Sequence, residues 1–205
     1  TTDYKPLTMN YLSVEKVSKT YGEKLLFKDI TFGLEKGQKS ALIAKNGTGK
    51  STLLNIIAGL ETADSGQVVL RNDITVSYLP QIDYFSDDVS VLDALFDAQT
   101  PVVQAVKEYE SCVILLEQAQ ADRQKTTDLE NRLHRAIENM DRLQAWDYES
   151  KIKEILSKFG IHDVFKSIGT LSGGQRKKTA LAKTLIAETD LLILDEPTNH
   201  LDIEM

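Results

Sequence analysis

The chain is poor in the residues that build several common protein classes. Its one cysteine, Cys112, cannot form an internal disulfide and falls in an apolar helical pattern, where it reads as a packing residue. Only three histidines occur, His134, His162 and His200; they are scattered and make no metal site. No apolar run approaches the roughly 18 to 20 residues that a membrane helix needs. The opening TTDYKPLTMNYL lacks the charged and apolar regions of a signal peptide, so a cytoplasmic location is expected. Basic charge is not in excess either. A formal net charge of −7 argues against a simple nucleic-acid-binding domain. Arg176, Lys177 and Lys178, which open a helical pattern, read as a solvated face.

Glycine is also missing from Ser90 to Phe159, where Ala, Leu, Glu, Gln, Lys and Arg dominate. That composition predicts long helices. Apolar residues recur there at spacings of three and four (Val102, Val106, Val113, Leu116, then Leu129, Leu133, Ile137, Met140, Leu143). The polar interval 121–128 predicts the bend of a helical hairpin over about 102–145, with Thr127 or Asp128 as N-cap. A further helix is expected from about Tyr148 to Phe159.

The flanking regions alternate strands and helices. LSVEKVSKTYG (12–22) and LLFKDITFGLEKG (25–37) predict an antiparallel pair. KSALIAKNGTGKSTLLNIIAGL (39–60) predicts a buried strand, a glycine turn and an amphipathic helix. QVVLR and ITVSYLPQ predict two more strands. After residue 169 come a loop, a helix and the very apolar strand LLILD. Fully apolar strands alternating with helices predict an α/β fold with a parallel sheet.

Three segments carry chemistry. AKNGTGKST (44–52) follows a strand and opens a helix, as a phosphate loop does. Its backbone amides at Asn46, Gly47, Thr48 and Gly49 curl around phosphate oxygens, Lys50 reaches the β and γ phosphates, and Ser51, beside Thr52, ligates Mg²⁺. Ala44 stands where the first glycine of such loops usually is. In LLILDE (191–196) a buried strand delivers Asp195 to the sheet rim, where it can hold Mg²⁺, and Glu196 to a place where it can polarise a water. Alone, that stretch reads equally well as an acidic turn; the upstream phosphate loop decides against it. LSGGQ (171–175) opens a helix with two glycines after a serine and makes a second anion-receiving backbone site.

Together these motifs resemble the nucleotide-binding domain of the ATP-binding-cassette superfamily. AKNGTGKST is similar to its Walker A loop, LSGGQ to its signature, LLILDE to its Walker B strand and Gln81 to its glutamine loop. LDEPTNHLD and the long helical insert look like the F type (ABC-F), whose members are soluble and act on ribosomes. The resemblance implies a P-loop cassette with an antiparallel β-subdomain, a parallel core sheet and an enlarged helical subdomain. Its parts would be an extension or added residues (1–8, Met9 being a natural start), a nucleotide-binding core (9–89), the helical subdomain (90–168) and the signature helix with Walker B and D-loop (169–205).

The resemblance also implies roles. Tyr21 stacks on adenine, Gln81 senses Mg²⁺ and the attacking water, and Glu196 is catalytic. Ser172, Gly173, Gly174 and Gln175 face the other cassette, and Asp202 is the D-loop aspartate. His200 belongs to the D-loop region and is not the family's γ-phosphate-sensing histidine, which is expected some 30 residues further on. The chain therefore reads as the greater part of a first cassette. It would bind ATP and Mg²⁺, be nearly inactive alone, and pair with a second cassette and the ribosome. The hairpin, with nine Lys/Arg against eleven Asp/Glu from Val102 to Lys158, is not basic enough to grip RNA strongly by itself. The ATPase subunit of a membrane transporter is the alternative. A non-hydrolysing clamp is disfavoured because Lys50, Asp195 and Glu196 are all present.

Overall fold

A computed structural model describes residues 10–81, 85–97, 100–119 and 123–197. The described residues fall into two compact units, one drawn from 1–82 and 188–199, the other from 83–187.

In the first unit β1 (Asn10–Tyr21) pairs antiparallel with β2 (Lys24–Glu35) on one side and β3 (Ser65–Leu70) on the other. Gly22 and Glu23 make the hairpin turn, one residue beyond the expected Tyr21-Gly22 break. Helix α1 (Lys50–Ile57) lays Leu53, Ile56 and Ile57 against Leu12, Val14 and Val17 of β1. β4 (Val76–Leu79) pairs in parallel with β5 (Leu191–Leu194), bringing together segments 115 residues apart. Asp190 fixes that register from below. Its Oδ2 accepts from the Thr75 amide at 2.9 Å and the Thr75 hydroxyl at 3.0 Å, contacts that hold its carboxyl below the usual range.

The strand expected over residues 39–44 does not form. Leu42 is 45% exposed and Ile43 91% exposed, and among the described residues no backbone amide from Lys39 to Lys45 donates a hydrogen bond. A strand exists by pairing, and apolar content alone does not supply it. No described strand lies along this segment, since β5 is paired to β4 only.

The second unit is helical. Val91–Leu95 (α2) is capped by Ser90, and Pro101–Gln118 (α3) by Thr100 with Pro101 in its first turn. Arg123–Leu143 (α4) runs back against α3, followed by Trp146–Lys158 (α5) and Gly173–Ile186 (α6). The core gathers Phe96, Val106, Met140, Ile152, Ile168 and Ala182. Cys112 is buried there, as a packing residue should be, while His134 and His162 are exposed.

Two expectations are corrected. α3 ends at Gln118 and α4 begins at Arg123, so the connection overlaps only the start of the expected interval 121–128, and Thr127 and Asp128 lie inside α4 rather than at its cap. Arg123, Gln124 and Lys125 are good helix formers, and with no Gly or Pro nearby their polarity does not break the helix. Nor are Arg176 to Lys178 a solvated face. Lys177 is buried, and Arg176 forms an ion pair with Asp87. No helix among the described residues is long and apolar enough to cross a membrane.

Candidate functional site

The first unit builds a site around the start of α1. Gly47 (φ 75°) and Gly49 (φ 94°) both take the left-handed conformation, and Gly49 is the N-cap. A β-carbon on Gly49 would lie 3.0 Å from Leu26 and 3.1 Å from the Phe27 ring, so a side chain there would be tight in space as well as strained in φ. Ala44 has no positive φ, which explains why alanine serves there without strain.

The loop is curled by its own side chains. The Lys50 ammonium donates to Ala44 O at 3.0 Å, Lys45 O at 3.2 Å and Asn46 Oδ1 at 3.2 Å. The Thr48 hydroxyl donates to Lys45 O at 2.7 Å. Ser51 and Thr52 follow, half-buried, in the first turn of α1. From the β1–β2 turn, Lys24 Nζ donates to Gly47 O at 3.3 Å and ties that turn to the loop.

β5 ends at the same place. Lys50, Asp195 and Glu196 line one cavity of about 500 Å³, whose walls include Ala41, Leu53 and Ile193. Asp195 is 2% exposed; its amide donates to Leu79 O at 2.9 Å and continues the parallel ladder. Its Oδ2 is buried without a hydrogen-bond partner. A buried carboxylate oxygen left so is costly unless something binds it. A carboxylate oxygen and the Ser51 hydroxyl are both hard oxygen donors of the kind Mg²⁺ takes, so the chemistry of these residues fits that ion.

Glu196 sits at φ 47°, a left-handed conformation that costs a non-glycine residue about 1 kcal/mol or more. Gln81, just past β4, donates from Nε2 to Glu196 Oε2 at 3.0 Å. The glutamine and Glu196, far apart in the chain, are thus in direct contact.

Tyr21 is 54% exposed, and its hydroxyl donates to Glu61 Oε1 at 2.6 Å. That bond raises the phenol above its ordinary range, burial and the Glu61 charge adding to it, while the nearby Thr52 side chain pulls the other way. Lys24 and Glu61 were not foreseen. Neither belongs to a motif, and no spacing in the sequence marks them.

In the helical unit Ser172 caps α6. Its Oγ accepts from the Gln175 amide at 3.2 Å, and the Gln175 side chain accepts from the Ser172 amide at 3.0 Å. This is a complete capping box, legible as S-x-x-Q. Space is open around Gly173 for a close backbone approach. Gly174 follows in the same first turn. Asp202 and His200 lie outside the described residues.

Comparison with known proteins agrees with this arrangement. The sequence profile of the ABC transporter family matches residues 27–199. The chain is 41% identical over 196 residues to YfmR, an uncharacterized ABC transporter ATP-binding protein of Bacillus subtilis, across 96% of this chain and 30% of that protein. It is 30% identical over 192 residues to the energy-dependent translational throttle protein EttA of Mycobacterium tuberculosis, across 94% of this chain and 34% of that one. The solved structure of an ATP binding subunit of an ABC transporter superposes with a TM-score of 0.63 at 20% identity, over 94% of this chain and 69% of that one; this likeness concerns the fold alone. The chain spans about a third of the length of the curated relatives it matches. Phosphate-loop geometry, an acidic strand end beside it and the family match lead to one conclusion: the chain belongs to the ABC transporter family, as a nucleotide-binding cassette of the F type.

Proposed function

We propose that this cassette binds MgATP and, closed against a second cassette of the same polypeptide, hydrolyses it within a cytoplasmic protein that acts on the ribosome. The observation that carries the reading is the shared cavity of Lys50, Asp195 and Glu196, with the Gln81 amide on Glu196. In that reading Lys50 exchanges its loop oxygens for the β and γ phosphates, and the amides from Asn46 to Thr52 hold the remaining oxygens. Asp195, Ser51 and Gln81 would hold Mg²⁺, which when bound neutralises charge on the phosphates.

Glu196 acts on water. Its carboxylate takes the proton as the water oxygen attacks the γ phosphorus and the bond to the β–γ bridging oxygen breaks, leaving ADP and phosphate. Tyr21 offers its ring to adenine. Ser172 to Gln175 of the partner cassette would complete the site, and Asp202 would lie at the junction. By itself the 205-residue chain binds MgATP weakly at best and turns it over negligibly, because the facing signature belongs to the other cassette. Exposed Leu42 and Ile43 support its self-association, which light scattering at rising concentration would detect.

The ribosomal assignment rests on the PTNHLD segment, the long helical insert and the likeness to a translational throttle protein. It is tested by sedimenting the full-length protein with ribosomes through sucrose. Glu196 and its counterpart in the second cassette are both changed to Gln, so that ATP is held. ATP-dependent co-pelleting is expected. A variant that holds ATP yet stays in the supernatant would overturn the ribosomal reading and favour a membrane partner.

A further inference from the structure

Glu61 lies outside every motif. It follows α1 in the turn that leads to β3, and it is the acceptor of the Tyr21 hydroxyl at 2.6 Å. The carboxylate is itself fixed. Lys19 Nζ lies 3.2 Å from the same Oε1, 3.5 Å from Asp64 Oδ1 and 2.7 Å from the Thr62 carbonyl, to which it donates. Asp64 in turn accepts from the Thr20 amide at 2.7 Å and the Thr20 hydroxyl at 2.6 Å, contacts that hold its carboxyl below the usual range. Lys19 is buried, so this network is not a loose surface pairing. The same ammonium stands 5.7 Å from the Tyr21 ring centroid.

The ring is therefore held at two points, its hydroxyl by Glu61 and its π system by Lys19, and yet remains largely exposed. Its turn is also tied to the phosphate loop through Lys24 and Gly47. A planar base attached to phosphates in that loop meets an aromatic platform already immobilised, and immobilisation in advance raises affinity without any new contact.

We propose that Glu61 is a positioning residue for nucleobase binding, holding the Tyr21 ring in place for the base of a bound nucleoside triphosphate. The proposal rests on the phosphate-loop reading above and adds to it the part of the site that recognises the base. Glu61 touches neither base nor phosphate; it acts through Tyr21.

Competition binding on the full-length protein separates the two readings. MgATP reports base and phosphates together, and magnesium tripolyphosphate reports the phosphate loop alone. Glu61→Ala is expected to weaken MgATP about tenfold and to leave tripolyphosphate within twofold of the parent. Glu61→Gln, which keeps an acceptor for the Tyr21 hydroxyl, is expected to recover most of the loss. Tyr21→Phe keeps the ring and deletes only the hydroxyl; in that background Glu61→Ala is expected to have little further effect. An unchanged ratio of ATP to tripolyphosphate affinity in Glu61→Ala and in Tyr21→Phe would overturn the inference and leave the phosphate loop standing. Equal loss of both ligands would assign Glu61 to the stability of the loop and also overturn it. A parent protein that binds neither ligand would overturn the phosphate-loop reading, and the inference with it.

Discussion

In the helical unit three helices are capped by side chains at their N-termini, whereas in the nucleotide-binding unit the helix of the phosphate loop starts at a glycine with no side-chain cap. Ser90, Thr100 and Ser172 each cap a helix, and Gln175 returns the bond to Ser172. The half-buried charges there are near partners, Glu110 3.2 Å from Lys153 and Arg176 paired with Asp87, although Glu110 Oε1 and Arg176 Nε each lack a hydrogen bond. The other unit keeps Glu196 at φ 47°, Asp195 with an unpartnered buried oxygen, and residues 39–45 without an amide hydrogen bond among the described residues. Groups left unsatisfied or strained can gain by binding, and the acidic pair at the motif carries both features side by side, whereas Glu110, Arg176 and Gln144 show them singly in the helical unit. What divides the two units is thus how their helices start: capped by side chains at α2, α3 and α6, open at the phosphate loop.

The sharpest test of that division is a cavity in the helical core. Met140 is fully buried, and Met140→Ala should cost about 2–5 kcal/mol in urea unfolding. A loss below 1 kcal/mol would mean that the core is looser than its burial implies. Next in size is the cap: Ser172→Ala should cost about 1 kcal/mol. Glu196→Gly should behave in the opposite way. Glycine relieves the left-handed backbone, so stability should hold or rise by up to about 1 kcal/mol while hydrolysis by the full-length protein disappears. A large loss of stability would show that Glu196 is structural and not strained for function.

The smallest expected effect is a slope. Burial raises the Glu110 carboxyl above its ordinary 4.5; Lys153 opposes the rise, and the neighbouring Glu149 adds to it. Between 4.5 and the raised value the folded chain holds a proton that the unfolded chain has released. Stability should therefore fall as pH increases through that window. Glu110→Gln should flatten the slope, and an unchanged slope in urea titrations across the window would rule the residue out.

Much of this was legible beforehand, and the exceptions have physical causes. Period-two runs placed β1 and β2, and spacings of three and four placed α3 and α4, because one face of each is buried. The start of α4 was misjudged since a polar stretch with helix-forming residues looks like a loop when judged by polarity alone. Residues 39–44 look like a strand because they are apolar, but pairing is a property of neighbours that local sequence does not contain. Lys177 is buried although lysine is seldom so. At the site, Lys50, Asp195 and Glu196 follow from motif chemistry, and their common cavity adds geometry to it. The contacts of Lys24 and Glu61 depend on how a turn meets a helix, and nothing in the local pattern encodes that.

The most direct test of the account compares ATP binding with ATP turnover in the full-length protein carrying Glu196→Gln in this cassette and the matching change in the other. Binding of MgATP should stay within about threefold of the parent, while turnover should fall at least a hundredfold, roughly the contribution of a positioned general base. Turnover at the parental rate, or loss of binding together with turnover, would contradict the assignment of Glu196 as the residue that activates water.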